Sequence, residues 1–437
     1  MQWLDASQAW LAANPHWLGV AIFVVACIEC LAIAGIIVPG TVVLFALAAL
    51  AGGGNLGLAE TLLLGYVGGL LGDGLSYAIG RGLQENIRRL PGLRTHPQWL
   101  AGAEGYFQRY GVASLLVGRF IGPLRPMLPM VAGMLEMPVV RFALVSLVAA
   151  AGWSVAYLLP GWMAGAAVRL PLPEGFWPQA AVVAAGIALL VGLSFHSAWH
   201  RHPRTTLLVA GCSFILLLAV LLGWPYLAQL DQGLSRLIQE HRTAALDHLV
   251  VVVTRMGDFR TQLFLGGLLV AALALMRQWR PALFAFTTLL GTALANTLLK
   301  LLFSRARPEV LLDPLTSFSM PSGHSSGAFA FFLVLALLAG RGQPPRMRLT
   351  WTFIACIPAL AIAASRIYLG AHWPTDVIAG ILLAVSGVAA SFAVSQRFYP
   401  LAPMPLRAWY LVLPVCVVWL GFSALHALPH ALMRYEY

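Results

Sequence analysis

Lysine is almost missing from this chain. Of 27 basic side chains in 437 residues, one, Lys300, is a lysine and the others are arginines. Charge of either sign is scarce too, at 10% against 60% hydrophobic residues, whereas a soluble domain is typically about 25% charged. An ordinary soluble enzyme is thereby excluded, and so is a disordered chain, which needs low hydrophobicity and high charge. Cysteine is limited to Cys27, Cys30, Cys212, Cys356 and Cys416, all within apolar runs. Cys27-x2-Cys30 lacks the second pair or nearby histidine that would complete four metal ligands, and an apolar helix disfavours a thiolate. All five read as small buried hydrophobes. The first sixteen residues carry Asp5 but no Lys or Arg, so no cleavable signal peptide is expected.

What is abundant is apolar length. Mean hydropathy is +0.82, and stretches of spanning length recur, so the fold class expected is an all-α polytopic membrane protein. A net charge of +11 is a signal shared with nucleic-acid binders, but the arginines sit mostly in short loops between apolar runs, where they report topology instead. Nucleic acid is not an expected partner.

The polar stretch from Ser194 to Thr206 divides the chain. The predicted organisation is a membrane domain over 1–195, a cytoplasmic linker over 196–205, a second membrane domain over 206–396, and an extra span with tail over 397–437. In the second half, spans are predicted near 206–224, 261–276, 281–303, 322–340, 350–370, 373–395 and 409–428. Loops 196–205, 277–280, 341–348 and 396–407 hold Arg201, Arg204, Arg277, Arg280, Arg341, Arg346, Arg348, Arg397 and Arg407 with no acid, which places them in the cytoplasm. The alternate loops then face the exported side, including the mixed-charge loop 225–258.

In the first half, the run from Trp17 to Gly54 is too long for one span and is interrupted at Pro39-Gly40. A second irregular stretch, Arg119 to Gly133, holds three prolines. Broken helices at membrane depth are tolerated when packed in protein or lining a wet cavity, and a pair of them points to re-entrant hairpins of a transport-type site. Residues 81–109 read as amphipathic interfacial helices, with spans following near 139–162 and 177–195. Glu29, Asp73, Arg119 and Arg125 are the charges within this half that require partners or a function, since centring one charge in a bilayer costs about 2.5–3.5 kcal/mol on insertion scales. They are either two internal ion pairs that hold the hairpins or a path for a lipid phosphate or proton.

Three clusters in the second half carry chemistry, and the loop alternation brings all of them to the exported face. Lys300, Arg307 and Arg366 supply three cations for an anion of about two charges. Ser322 and Gly323 open a helix whose N–H groups and dipole suit phosphate oxygens. His372 and Asp376, at i and i+4, are expected on one helix face, where the carboxylate fixes the imidazole tautomer. That makes His372 the nucleophile and leaves His324 as general acid for the departing oxygen. Each residue alone has a plain reading: snorkelling cations, structural histidines, an aspartate capping the helix after Pro374. Their convergence with the one lysine of the chain favours a phosphate site.

Lys300-x6-Arg307-Pro308, Pro321-Ser322-Gly323-His324 and Ser365-Arg366-x5-His372-x3-Asp376 resemble, position for position, the signature of the type 2 phosphatidic acid phosphatase superfamily. The resemblance covers roughly 205–395. It implies a six-helix core, a phosphohistidine intermediate, no required metal or cofactor, His372 as nucleophile, His324 as acid/base with Asp376 the partner, and phosphate binding by Lys300, Arg307, Ser322, Gly323 and Arg366. Vanadium haloperoxidases share the signature but are soluble. In the first half, Glu29 before Pro39-Gly40, Gly68-x3-Gly72-Asp73-x3-Tyr77-x2-Gly80-Arg81, and Arg119-Phe120-x2-Pro123-x-Arg125-x3-Pro129-x2-Ala132-Gly133 resemble the DedA family, also described as SNARE-associated or VTT-domain proteins. Many bacterial members have an acid after the Pro-Gly where this chain has Thr41. The family implies lipid translocation, with Glu29, Asp73, Arg119 and Arg125 as the translocation residues.

The expectation is a fusion in the bacterial inner membrane. An exported-face phosphatase would dephosphorylate a polyprenyl diphosphate such as undecaprenyl diphosphate, and the first domain would return the monophosphate. Alternatives are phosphatidic acid, phosphatidylglycerol phosphate or lipid A phosphate as substrate beside a scaffolding first half, or a transporter with a headgroup-sensing second half. Expected partners are the lipid phosphate, the bilayer and, as an open option, a second copy in a homodimer.

Overall fold

The computed structural model describes residues 14–37, 40–54, 56–89, 94, 96–119, 125–169, 172–200, 202–313, 315–426 and 428–437. The expected break at Pro39, the motif residues Phe120 and Pro123, Asp5 and the loop arginine Arg201 lie outside them. The described residues are helical, with no strand among them. Among the described residues eight helices are long and apolar enough to cross a membrane, or nine if the bent pair Leu246–Arg255 and Phe259–Leu275 is one span. The chain divides into two compact units, Met1–Leu172 and Pro173–Tyr437. That break falls ahead of the polar 196–205 segment, because the helix before the segment packs with the second unit.

In the first unit, α1 (Pro15–Cys30) and α2 (Gly40–Gly53) are short. At 1.5 Å per residue they reach about 24 and about 21 Å, less than the roughly 30 Å hydrocarbon core. The long apolar run therefore forms two arms. Two full-length helices, α3 (Leu58–Leu83) and α7 (Val139–Arg169), hold them. Between these lie α4 (Pro97–Tyr110), α5 (Val112–Gly118) and α6 (Met127–Met134), the last two flanking the Arg119–Arg125 stretch. Helix α3 meets α1 through its glycine stripe: a Cβ on Gly68 or Gly72 would stand 2.3 Å from the Phe23 or Cys27 carbonyl oxygen. Small residues are what let membrane helices approach this closely, and the approach sets Asp73 beside the end of α1.

The second unit runs through α8 (Phe176–His200), α9 (Pro203–Gly223), α10 (Ala228–Glu240), α11 (Ala244–Arg255), α12 (Phe259–Leu275), α13 (Trp279–Phe303), α14 (Gly323–Ala339), α15 (Pro345–Tyr368), α16 (Pro374–Phe398), α17 (Leu406–Leu425) and α18 (Leu428–Met433). Their apolar side chains divide between an interior and a lipid-facing surface. Leu265, Leu269, Phe284, Phe331, Val334 and Ala359 pack the interior, while Leu222 and Val182 are each 70% exposed, as an apolar solvent allows.

The arginine-bearing loops gather at one end. Arg348 donates to the Trp199 carbonyl at 2.8 Å, Arg341 to Leu401 at 2.9 Å and Arg280 to Pro400 at 3.5 Å. Loops 304–322 and 369–373 lie at the other end. Helix α14 has 17 residues, about 25 Å long and shorter than the roughly 30 Å hydrocarbon core.

Candidate active site and the paired charges of the first unit

A cavity of about 730 Å³ opens beside the N-terminus of α14. Lys300, Arg307, Gly323, His324, Arg366 and His372 all line it, so six of the eight residues that sequence analysis picked out meet there. The other two lie behind the wall. Ser322 is fully buried, its N–H donates to the Asp376 carbonyl at 2.9 Å, and its hydroxyl accepts from Ser325. It caps α14, and its N–H is engaged by that carbonyl instead of facing the cavity. Asp376 is fully buried behind His372.

His372 and Asp376 do not share a helix face as expected. Proline starts α16 at Pro374, so His372 stands in the preceding turn and Asp376 in the first turn of the helix. Their nearest approach, Nδ1 to Oδ2, is 3.6 Å, too long for a hydrogen bond. Ser319 closes the gap: its Oγ stands 3.3 Å from His372 Nδ1 and donates to Asp376 Oδ2. Arg307 donates to Nε2 at 3.1 Å. Because a guanidinium can only donate, Nε2 must carry the lone pair and Nδ1 the proton. The tautomer is therefore the one expected, with the lone pair on the atom that Arg307 meets. Burial first, then Arg307, Arg366 and Lys300, hold the His372 imidazole well below its usual basicity, which keeps it neutral and nucleophilic. Asp376 also accepts from the Trp373 N–H at 2.9 Å, so its capping role is real as well.

Behind Asp376 runs a chain of buried charges that motif spacing did not single out. Arg305 donates to Asp376 at 2.7 Å and to Asp231 at 2.6 Å. Asp231 in turn accepts from the Thr375 N–H at 2.9 Å and its hydroxyl at 2.6 Å. Arg305 lies over the Trp224 ring at 4.2 Å. Removing either carboxylate would leave a buried charge short of a partner, at about 3–5 kcal/mol.

The cations are also placed by neighbours. Lys300 donates to the Phe318 carbonyl. Arg307 donates from Nε to the Ser317 carbonyl at 2.7 Å, and burial followed by Arg366 pushes its pKa down to about 10. Arg366 donates to Thr254 and to the Tyr435 hydroxyl, both at 2.8 Å. His324 meets Asp258 at 3.0 Å through Nε2. From this cluster the cavity continues along an apolar wall of Phe259, Leu263, Val270, Phe286, Leu289 and Leu290, on α12 and α13.

In the first unit the four singled-out charges form two buried pairs. Arg119 is paired with Asp73, and Arg125 Nη1 lies 2.6 Å from Glu29 Oε1. Thr41 donates to the same Glu29 oxygen at 2.7 Å. Both arginines lie near the buried Trp153 ring, at 5.2 and 4.6 Å. The space beside them is about 10 Å³, room for about one water and none for a headgroup.

Residues 38–163 match the family model of the VTT domain, and residues 281–400 match that of the PAP2 superfamily. The chain is a fusion of a VTT (DedA) domain and a PAP2 domain. On the VTT side it is similar to the inner membrane protein YabI of Escherichia coli (strain K12), with 39% identity over 151 residues, 35% of this chain and 59% of that protein. On the PAP2 side it is similar to a lipid A 1-phosphatase of Rhizobium etli, with 40% identity over 121 residues, 25% of this chain and 48% of that enzyme. The chain thus spans about half of each of these relatives. A crystal structure of a transmembrane PAP2-type phosphatidylglycerolphosphate phosphatase from Bacillus subtilis aligns with a TM-score of 0.40 and 24% identity, over 44% of this chain and 98% of that one. The PAP2 match contains the three motif clusters but not Asp231, Asp258 or Tyr435, and the VTT match begins after Glu29. With its many apolar helices the fusion is a multi-pass membrane protein.

Proposed function

We propose that the PAP2 domain is a lipid phosphatase acting at the exported face of a bacterial inner membrane, and that its leading substrate is a polyprenyl diphosphate such as undecaprenyl diphosphate. One observation carries this reading. A single cavity joins three cations and two histidines to an apolar wall between α12 and α13, the amphiphilic shape of a lipid phosphate. The phosphoryl group is held by Lys300, Arg307 and Arg366 and faces the N-terminus of α14. His372 Nε2 attacks phosphorus, the bond to the leaving oxygen breaks, and His324 gives that oxygen its proton. Water then cleaves the N–P bond, giving its proton to His324 and releasing inorganic phosphate. Ser319 and Asp376 hold the Nδ1 proton while positive charge develops on the ring. Arginines collected at the opposite end support an exported site.

The test is phosphate release by purified protein in detergent from undecaprenyl diphosphate, phosphatidic acid, phosphatidylglycerol phosphate and lipid A. The diphosphate should give the highest kcat/KM. Preference for one of the others moves the substrate, and release from none removes the enzyme reading in favour of a headgroup sensor.

For the VTT domain we infer translocation of the monophosphate product, supported by two buried arginines whose Nε atoms have no hydrogen-bond partner among the described residues. Each arginine is already paired, so the two ion pairs must open for a phosphate to replace a carboxylate. Replacing both Arg119 and Arg125 with Gln, together with Asp73→Asn and Glu29→Gln, removes the charges without stranding any. Liposome transport lost with phosphate release retained supports the path. Transport retained by a folded variant makes the pairs a scaffold.

A further inference from the structure

The segment after α17 lies outside the PAP2 match, which ends at residue 400, yet it returns to the phosphate cavity. Arg434 and Tyr435 both line that cavity. The return is fixed by specific bonds: Arg242 donates to the Tyr435 carbonyl at 2.7 Å, and the Leu312 N–H donates to the Glu436 carbonyl at 3.0 Å. The Arg242 guanidinium also stands 3.7 Å from the Tyr437 ring centre, a cation–π distance. Tyr435 is buried, with its ring 5.5 Å from the Arg366 guanidinium and its hydroxyl accepting from Arg366.

Arg366 therefore reaches the cavity in an orientation set by a residue beyond the signature. Its Nη1 is occupied by Thr254 and Tyr435, and its buried Nε has no hydrogen-bond partner among the described residues. Arg434 differs. It is exposed, lines the cavity, and has no side-chain partner among the described residues. Four cations thus face one cavity, where a monoester phosphate brings about two negative charges. A lipid diphosphate carries more charge and a second set of oxygens beyond the reacting phosphorus.

We propose that segment 428–437 is part of the substrate site: Tyr435 positions Arg366 on the reacting phosphate, and Arg434 binds the other phosphate of a diphosphate lipid. The proposal rests on the phosphatase reading above and deepens it, since it names what selects a diphosphate over a monophosphate. Tyr435 is a positioning residue acting through Arg366, whereas Arg434 touches substrate.

The test compares kcat/KM of the full chain on a polyprenyl diphosphate and on the monophosphate of the same polyprenol. Arg434→Gln should lower the diphosphate-to-monophosphate ratio about tenfold, the scale of a lost charge-assisted bond, mainly through KM. Arg434→Lys should restore part of the ratio, since a point charge replaces a fork. Tyr435→Phe keeps the ring and removes the acceptor, so it should raise KM for both lipids alike. An Arg434→Gln protein with an unaltered ratio, or with both lipids slowed equally, overturns the assignment of Arg434. A Tyr435→Phe protein with wild-type KM on both overturns the positioning role. Wild-type protein that hydrolyses neither lipid overturns the phosphatase reading itself, a result distinguishable from the others because no ratio then exists.

Discussion

Ser319→Ala is the substitution that separates the observed His–Asp arrangement from the simpler one. In the structure the carboxylate of Asp376 does not reach His372 directly, at 3.6 Å, and the serine hydroxyl carries the interaction. Removing it takes away the acceptor for Nδ1–H at the moment the ring becomes positive. A hydrogen bond linked to a charged group is worth about 1.5–3 kcal/mol, which corresponds to a loss of about 10- to 150-fold in kcat. Stability should suffer far less. Asp376 keeps Arg305 at 2.7 Å and the Trp373 N–H at 2.9 Å, and serine to alanine empties almost no volume. The assay is kcat for phosphate release in detergent at saturating lipid, beside the thermal midpoint of the same preparation. Asp376→Asn is the comparison and should be slower and less stable, because it strips Arg305 of one buried partner. A Ser319→Ala enzyme within about threefold of wild type, less than 1 kcal/mol of barrier, would refute the bridge and return the carboxylate to direct contact.

Because the His372 imidazole is held well below its usual value of 6.5, it stays an unprotonated base as pH falls through that value. The kcat/KM of the free enzyme should therefore show no acid limb at the ordinary imidazole value, and a wild-type profile that falls with a midpoint near 6.5 would contradict this. Arg119→Ala strands the buried Asp73 carboxylate and should cost about 3–5 kcal/mol, read as lost folded yield, with Arg119→Gln plus Asp73→Asn recovering much of it. If the single and double variants fold equally well, the pair is not an internal ion pair in the membrane. In a cysteine-free background, a cysteine at Leu311 should react with an impermeant thiol reagent from outside and one at Gln343 should not. The reverse pattern would place the site in the cytoplasm.

The sequence made the gathering of the motifs legible because two independent signals agreed. Arginine-rich loops fixed which ends of the helices face together, and cation, histidine and N-cap chemistry clustered at those ends. Lys300, Arg307, His324, Arg366 and His372 meet accordingly. What stayed hidden were single residues without a period. Arg305 sits inside the Lys300-x6-Arg307 spacing as an unmarked position, and Asp231 and Asp258 read only as members of a mixed-charge loop. Nothing in 428–437 signals that the chain folds back over the site, since that depends on the Arg242 and Leu312 contacts made from far away in sequence. For His372 and Asp376 the deciding signal is Pro374, which starts the helix, so an i,i+4 spacing that straddles it does not describe one face. Packing separates the two compact units at Leu172–Pro173, ahead of the polar stretch that divides the chain in sequence. In the first unit the four charges that stand out in the sequence partner one another.

The central claim is that His372 takes the phosphoryl group from a lipid. Its most direct test is rapid quenching of the purified protein with a lipid labelled in its terminal phosphate. The account predicts a protein-bound phosphate that is labile in acid and stable in base, mapped to His372 and missing from His372→Ala, formed equally well in chelator. A label that survives acid, that appears undiminished in the His372 variant, or that never forms while phosphate is released would contradict it.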